Sequence, residues 1–416
     1  MNNQKIAPAP LFDKAVILLL VLTQILKTYG PVPYYNFASI PTYIFGIIFL
    51  GMLLSGKRKF KSGLTMPKPL VYFFIYWAVA HVLTNLHSGI LPQNVIEIAV
   101  TFILFWGVVT PNQFPRLLKY YTVVAWVCIA FFILQEASYR LTGMRISGII
   151  PGLPIALSSV EDASTFVSEK MIGTRGTSFF SEPAYFAQYV MPLFALKLFY
   201  DKSKRHYLKA IIIGLVILQT MSGTGIAAMG MVIMVYVLSL MVKRSLLSMI
   251  VVIFIFIAGF VGLPYIMETE IGETLIGRQV EMSMDYEGGS RSGFMRLYRG
   301  LYVYDEYSPI EKVFGHDNNA AIQDHIAHSV FAYTFAENHD TFFNGVQYTL
   351  LRTGIVGLII MTLLFIQIYR NNNVCGRAIL FGFIALMFME AVFFGNNMVL
   401  FLILAERMKY QKIQES

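Results

Sequence analysis

The sequence predicts an all-α polytopic integral membrane protein with about twelve transmembrane helices, a count that follows from its long apolar runs. Two composition figures support this class, because 56% of the residues are hydrophobic and only 13% are charged. Soluble domains are about 45–50% apolar and about 25% charged. Neither one water-soluble core nor a disordered chain fits these figures, so a bilayer is the expected solvent.

The spans follow from the apolar runs, taken in chain order. The first run follows Lys5 and Lys14 and resembles a signal peptide, but Asp13 interrupts it and no small-residue cleavage site follows. We therefore expect it to be a retained first helix. The predicted spans lie near residues 14–29, 37–54, 70–87, 94–110, 118–139, 183–200, 208–221, 224–242, 247–266, 346–369, 376–393 and 395–408.

The sidedness follows from the loops, which alternate between rich and nearly empty in Lys and Arg. Residues 57–68 and 197–209 are rich in both, whereas 30–36 and 88–93 contain neither. The positive-inside rule places the rich loops and both termini in the cytoplasm. These loops also account for the formal charge of +8 and the pI near 9.2 without nucleic acid as a partner.

Two long external segments remain, and residues 1–416 are expected to form a single membrane domain around them. The first periplasmic loop, 140–182, contains PGLPIALSS, which predicts irregular structure. The larger loop, 267–345, lies between spans nine and ten and contains a predicted amphipathic helix over 290–305. We expect that helix to lie on the membrane surface or to cap a cavity. Its predicted apolar face consists of Phe294, Leu297, Tyr298, Leu301 and Tyr304, with Arg291 at the border and Arg296 and Arg299 pointing away.

Acidic and histidine side chains concentrate at the predicted outer surface. The acids near span ends are Glu97, Glu136, Glu182 and Glu390, and the histidines include His81, His87, His316, His325, His328 and His339. Secondary transporters place substrate sites near the midplane on broken helices, whereas the midplane here is predicted to be plain apolar packing. The pattern favours an enzyme that acts on a lipid-borne substrate, with a transporter or flippase as the alternative.

The first candidate segment is MIGTRGTSFFSEPAYFAQYVMPLFA, residues 171–195. Arg175 and Glu182 precede a span that begins with Pro183, which suits the first position of a helix. An anionic group is favoured near exposed helix N–H donors, and Arg175 can share it. The alternative is that Glu182 caps the helix and pairs with Arg175.

The second candidate segment is GGSRSGFMRLYRGLYVYDEYSPIEKVFGHD, residues 288–317. Its arginines can clamp a diphosphate, because guanidinium binds phosphate oxygens in a bidentate fork. The alternative is general attraction to anionic headgroups. For Arg296 and Arg299 we favour that alternative, and Arg291 is the stronger candidate for the clamp.

The third candidate segment is ENHDTFFNGVQYTLLRTGIVGLIIM, residues 337–361. A neutral imidazole at His339 can accept a proton from an attacking hydroxyl, although a lone histidine in a polar loop is commonly a surface residue. Arg352 lies about two turns into a span, so it must meet either a partner or a phosphate.

Metal and disulfide chemistry are not expected. Neither the Asp324, His325 and His328 group nor the Glu337, His339 and Asp340 group has the ligand spacing of a zinc motif. Cys128 lies in an apolar run and Cys375 in a basic loop, so no disulfide is predicted. The Ser-Gly-Thr-Gly at 222–225 is too short for a phosphate loop and predicts a tight turn with close helix packing.

Together these motifs resemble the Wzy-type O-antigen polymerases, which are grouped with the O-antigen ligases. The shared order is Arg-Gly, Phe-Ser-Glu-Pro and Phe-Ala before a mid-chain span, then Ser-Gly-Thr-Gly, then a long outer loop ending in Glu-Asn-His-Asp, then Gly-Ile-Val-Gly-Leu. The resemblance covers most of the chain as topology, whereas the motifs themselves are short. The spaced Arg-to-Gly pattern of the family is not reproduced cleanly here.

The resemblance implies a metal-independent, cofactor-free, inverting glycosyltransferase of the bacterial inner membrane. Its donor would be a glycan on undecaprenyl diphosphate, and its acceptor another lipid-linked repeat unit (polymerase) or the lipid A core (ligase). The family's essential arginines map onto Arg175 and Arg291, with Arg296 in reserve, and its loop histidine onto His339. Glu182 stands where ligases often have Asn, which favours the polymerase. A chain-length regulator is an expected partner, and an exporter of lipid-linked glycans remains the third alternative.

Overall fold

The computed structural model describes residues 10–30, 37–57, 66–85, 93–155, 163–173, 175–201, 203–242, 292–329, 343–392 and 395–411. These residues form helices and connecting segments, and within them the only β-type pairing is an isolated bridge between Tyr29 and Ile155. The helices are α1 (Leu11–Leu26), α2 (Ser39–Leu54), α3 (Lys68–Thr84), α4 (Gln93–Val108), α5 (Phe114–Thr142), α6 (Ala163–Ile172), α7 (Pro183–Phe199), α8 (His206–Gln219), α9 (Gly223–Val242), α10 (Ser292–Asp305), α11 (Pro309–Phe314), α12 (Asn319–His328), α13 (Gly345–Arg370), α14 (Val374–Met389) and α15 (Asn396–Arg407), with a 3-10 turn at Met408–Tyr410.

The prediction of an all-helical, apolar fold is confirmed. Within the described ranges, three helices are long and apolar enough to cross a membrane: Phe114–Thr142, Gly223–Met241 and Gly345–Arg370. The described residues also include several shorter apolar helices. These helices indicate a membrane protein, while the count of about twelve spans, their sidedness and the loop topology stay predictions.

The predicted spans coincide with helices wherever the structure describes them, with ends displaced by up to about four residues. The ninth predicted span, 247–266, lies outside the described residues. Three helices were not predicted: α6 in the first loop, after its irregular PGLPI segment, and α11 and α12 in the larger loop. Composition rich in Pro, Gly and Ser marks loops well, but it does not exclude a short helix beyond them.

The described helices have two hydrophobic cores. The larger core joins the long bundle, in which α14 packs against α7, α9, α13 and α15, and α13 packs against α3. The smaller core consists of Val303, Tyr307, Ile322, Ile326, Phe343 and Leu351. It joins helices α10 to α12, which we call the cap, to the first turns of α13. The predicted outer loop is therefore partly an ordered layer on one end of the bundle.

Helix α10 turns Arg299 towards the bundle, while the placement of its apolar face on the membrane surface stays a prediction. Tyr298 and Leu301 of that apolar face are 39% and 44% exposed, whereas Arg299 is 4% exposed. The physical reason is Gly300, where an added Cβ would lie 2.7 Å from Cβ of Gln347 on α13. This close approach turns Arg299 towards the bundle, so attraction of Arg299 to lipid headgroups is not supported.

Helix α13 is interrupted at Gly354, which the sequence did not predict. Gly354 has φ 62° and ψ −171°, a backbone conformation that favours glycine. The break lies nine residues after the start of the helix, ~14 Å along it at 1.5 Å per residue. The expectation of plain, unbroken packing within this span is therefore wrong at one point, and the candidate site lies beside that point.

Candidate functional site

Three charged or titratable side chains from distant parts of the chain meet beside the break in α13. Oδ1 of Asp317 accepts a hydrogen bond from Nη1 of Arg352 at 2.6 Å, and its Oδ2 lies 3.0 Å from Nδ1 of His81. The side chains of Asp317 and His81 are 1% and 4% exposed. Because Asp317 lies between α11 and α12, His81 on α3 and Arg352 on α13, this network fastens the cap to the bundle.

The break in α13 supplies backbone groups that the cap and α3 use. The carbonyl of Leu351 accepts hydrogen bonds from the backbone N–H of His316 at 2.8 Å and from the hydroxyl of Tyr307 at 3.3 Å. The hydroxyl of Tyr76 on α3 donates to the carbonyl of Thr353 at 2.7 Å. An interruption frees carbonyls from their helical partners, and these donors satisfy them.

Gly315 allows the connection between α11 and α12 to enter the break. Its φ is +75°, and a Cβ there would overlap the backbone of Arg352, Thr353 and Gly354. Gly354 is constrained in the same way, because a Cβ on it would overlap the carbonyl of Val313. Two glycines facing each other therefore set the distance between the cap and α13, and they place Asp317 opposite Arg352.

A second polar group lies within the cap. Glu311 closes a capping box at the start of α11, where its Oε2 accepts from the N–H of Ser308 at 2.9 Å. Its Oε1 lies 3.2 Å from Nε2 of His325 on α12. The ring of His325 packs 4.5 Å from the ring of Tyr307. This group fixes α11 and α12 to each other.

The cap groups have shifted pKa values. Burial tends to raise the pKa of Glu311, but hydrogen bonds from the Ser308 hydroxyl and backbone and from His325 outweigh it, so the pKa falls. Burial lowers the pKa of His316, opposed by the nearby carboxylates of Glu311 and Asp317. Burial also raises the pKa of the Tyr307 phenol. At neutral pH the cap thus holds a carboxylate, a neutral phenol and an imidazole that disfavours protonation.

The part of the first candidate segment that precedes α7 belongs to a separate polar region, between α5 and α7. Glu136 on α5 pairs with Arg145 at 2.7 Å, and Arg145 also donates to the carbonyl of Gly173 after α6. The backbone N–H of Ser178 donates to Gln135 Oε1 at 2.7 Å. These bonds hold the first loop against the end of α5, so Glu136 has a structural partner that the sequence did not identify.

Arg175 and Glu182 are both described. Glu182 is exposed at the N-cap position of α7, with Pro183 at the first position as predicted. Its side chain makes no capping hydrogen bond, so capping by Glu182 is not supported. The carboxylate interacts electrostatically with Lys27 at the end of α1. Arg175 is half-buried eight residues before the start of α7.

Three other predicted site residues cannot be placed beside the network. Arg291 and His339 lie outside the described residues, and Arg296 lies on α10 in a part of the helix whose side chains are not described. Glu337 and Asp340 are also outside them. Within the described ranges, no group of three or more His, Cys, Asp or Glu residues is arranged to hold a metal ion.

The network also contains residues that sequence reasoning did not join. Arg352 was predicted to meet either a partner or a phosphate, and its partner is Asp317. The sequence does show Asp317 directly after Phe-Gly-His in the outer loop, and His81 in the outer part of predicted span three. The sequence alone does not say how α3 and the outer loop are aligned, so it could not predict that these two residues meet.

The chain matches no protein-family model and no curated protein.

Proposed function

We propose that this protein is a bacterial inner-membrane glycosyltransferase that polymerises oligosaccharide repeat units carried on undecaprenyl diphosphate at the periplasmic face. About twelve spans surround the lipid, as the apolar runs predict, with both termini in the cytoplasm. The loops 140–182 and 267–345 present the polar groups. Neither a metal nor another cofactor takes part, and a chain-length regulator in the same membrane is an expected partner.

One observation supports this proposal most directly: a buried charged network lies where a polar cap meets an apolar bundle. A polyprenyl diphosphate has an apolar chain and an anionic head, so it needs apolar helix surface beside cationic side chains. Ile75 on α3 and Ile355 and Ile359 on α13 are exposed apolar side chains on the two helices that hold His81 and Arg352.

The chemistry requires cations at the leaving oxygens and a base at the nucleophile, because diphosphate leaves readily once its charge is compensated. In this proposal the cations are Arg175, Arg291 and Arg352, with Arg296 in reserve. A diphosphate would compete with Asp317 for Arg352. His339, assisted by Glu182, orients or deprotonates the acceptor hydroxyl.

A second candidate function is export of lipid-linked glycans across the membrane. The break of α13 at Gly354 favours it, because transporters commonly place substrate sites at interrupted helices. An exporter depends on residues that line its path and tolerates His339→Ala. A ligase that transfers the glycan to lipid A core shares all the residues above and differs only in its acceptor.

The test is a gel of products from the purified protein, supplied with its lipid-linked repeat unit in detergent without added metal. We expect a ladder of longer oligomers that is lost in Arg291→Ala and His339→Ala. The control is Arg370→Ala, which removes an exposed arginine at the C-terminal end of α13, whereas Arg352 lies near its N-terminal end. This variant should leave the ladder intact. Unchanged substrate with the unsubstituted protein would contradict polymerisation of that glycan. Addition of lipid A core then tests the ligase.

Arg291→Lys separates a clamp from headgroup attraction. Lysine keeps the charge but lacks the bidentate fork. Near-normal ladder formation in Arg291→Lys would contradict the clamp, whereas a loss similar to that of Arg291→Ala would support it.

A further inference from the structure

Helix α11 of the cap has its charged side chains bound to the rest of the cap and its apolar side chains exposed. Oε1 of Glu311 lies 3.2 Å from Nε2 of His325, and Nζ of Lys312 donates to the carbonyl of Asp305 at 2.9 Å. The large exposed side chains of the other face are apolar: Ile310, Val313 and Phe314. A surface helix in water shows the opposite arrangement, so the exposed face of α11 suits an apolar environment.

The contact with α3 shows how deep α11 lies. The hydroxyl oxygen of Tyr76 lies 3.4 Å from the carbonyl oxygens of Val313 and Phe314, at the C-terminal end of α11. Tyr76 is at the middle of the 17 residues of α3, with about 12 Å of helix on either side at 1.5 Å per residue. A helix of this length needs nearly all its residues to cross a hydrocarbon core of about 30 Å. The end of α11 therefore lies near the middle of the third predicted span.

The exposed apolar surface of α3 continues on both sides of Tyr76. It consists of side chains that recur at helical spacing: Tyr72, Ile75, Val79, Val82 and Leu83. The last three lie between Tyr76 and the predicted outer end of α3, on turns where a water-exposed face would be polar. The surface that suits lipid therefore extends beyond the level at which α11 meets α3.

Helix α13 changes its exposure at the break. None of its first ten residues, 345–354, is exposed. After the break, exposed apolar side chains follow one face of the helix: Ile355, Ile359, Leu363 and Ile366. The carbonyl of Val313 packs directly against Gly354. The exposed apolar stripe of α13 thus begins where α11 ends, and the two surfaces are continuous.

The polar groups beside α11 are satisfied within the protein, as membrane depth requires. Ionisable side chains inside a membrane pair with one another, and Asp317, directly after α11, is shared between Arg352 and His81. Irregular backbone at that depth is tolerated where protein buries it. The carbonyls freed at the break accept hydrogen bonds from the cap and from α3.

We propose that α11 re-enters the membrane from the predicted external side, and that Ile310, Val313 and Phe314 contact the acyl chains of the bilayer. The larger outer loop then covers the bundle partly from within the membrane. This inference requires that α3 and α13 cross the membrane, as the sequence predicts. It does not depend on the proposed activity, because it applies equally to a polymerase, a ligase and an exporter.

The test attaches a spin label to Ile310→Cys and to Val313→Cys in the full-length protein, reconstituted in vesicles of phosphatidylethanolamine and phosphatidylglycerol. The native Cys128 and Cys375 are buried, so the label reacts at the introduced cysteine. Electron paramagnetic resonance then measures how often the label collides with oxygen, which concentrates among acyl chains, and with a nickel chelate, which stays in water. Exposure of Ile310 is 70%, so this substitution should leave the fold intact.

Two control positions calibrate the measurement. Ile359→Cys places the label on the exposed apolar stripe of α13, and Glu306→Cys places it in the exposed segment between α10 and α11. We expect the ratio of oxygen to nickel collisions at Ile310→Cys and Val313→Cys to be several-fold higher than at Glu306→Cys and close to that at Ile359→Cys.

A ratio close to that of Glu306→Cys at either position of α11 would overturn the inference. Few collisions with both reagents would also overturn it, because protein would then cover this face. Spectral broadening that disappears on dilution with unlabelled protein would identify the cover as a second copy of the chain. A water-exposed label at Ile359→Cys would show that α13 does not cross the membrane, and the inference would fail with it.

Discussion

Two polar regions lie at helix ends that the sequence places on the external side, and they are built differently. Between α5 and α7, Arg145 pairs with Glu136 and Ser178 bonds Gln135, so the contacts join neighbouring segments of one part of the chain. At the cap, Asp317 is shared between Arg352 and His81, and these three residues belong to separate elements. The first region ties a loop to its own helix, whereas the second joins two layers at a broken helix.

This difference suggests which region carries chemistry. Polar side chains that are already paired with neighbouring segments, such as Arg145 with Glu136, need no ligand to satisfy them. Such pairs commonly stabilise the fold. A carboxylate shared by an arginine and a histidine is costly to bury, and Arg352, which lies within a predicted span, is by default a functional candidate. We therefore expect substitutions at the cap junction to alter activity and pH dependence, and those between α5 and α7 to alter stability.

The largest effect is expected from Arg352→Ala. Among the described residues it leaves His81 as the ion-pair partner of the buried Asp317 carboxylate, and breaking a buried pair in this way costs about 3–5 kcal/mol. Thermal unfolding in detergent should report the lower stability, and the product gel should show ladder formation reduced at least about a hundredfold.

A paired substitution sharpens this test. Asp317→Asn combined with Arg352→Gln removes both charges, so it should recover much of the stability but none of the activity. Recovery of both would show that the pair is purely structural and would erase the difference between the two regions.

The next effect is expected from Arg145→Ala in the region between α5 and α7. The side chain of Arg145 is 2% exposed and that of Glu136 is 12% exposed, so the cost of breaking the pair should lie near the lower limit, about 3 kcal/mol. Ladder formation per folded molecule should remain. A fall in kcat for the folded fraction, measured after the unfolded fraction is removed by size-exclusion chromatography, would give this region a role in the reaction.

A smaller effect is expected from Gly354→Ala. Alanine in the backbone conformation of Gly354, which is essentially restricted to glycine, costs about 1–3 kcal/mol, and its Cβ would overlap the carbonyl of Val313. We expect the cap to loosen from α13, seen as faster proteolysis within residues 292–328. Gly230→Ala is the matched control, because a Cβ on Gly230 meets nothing within 4 Å and should be neutral or slightly stabilising. Equal effects of the two substitutions would contradict the assigned importance of the break.

The sequence predicted the helices well because apolar runs and their flanking residues act locally. The run 183–200 begins at Pro183 in both the prediction and the structure, and 346–369 differs from α13 by one residue at each end. A tight turn was predicted at 222–225, but the structure has the turn between α8 and α9 at residues 220–222, and Gly223 already belongs to α9. Gly225 makes its closest approach to Ala187 on α7 rather than to α8.

The candidate site was harder to predict because it depends on distant contacts. Arg352 was identified as a residue that needs a partner, but nothing in its segment pointed to Asp317 or His81. The inward turn of Arg299 likewise depends on one glycine that meets Gln347, a contact that periodicity cannot reveal. Local patterns predict elements, while the pairing of charges follows from how the elements pack.

The smallest effect is expected from pH, and it again separates the two regions. The pKa values of His316 and Glu311 are both lowered in the folded cap. The unfolded chain therefore binds more protons on acidification, and stability falls below about pH 6.5 through His316 and below about pH 4.5 through Glu311. Each of these groups binds one proton, so each changes the free energy of unfolding by at most about 1.4 kcal/mol per pH unit. Protection against hydrogen exchange in the cap, corrected for the intrinsic pH dependence of amide exchange, should fall between pH 7 and 5 more than in α5, and His316→Asn should remove most of that fall. An equal response of α5 and the cap would contradict an acid-sensitive junction.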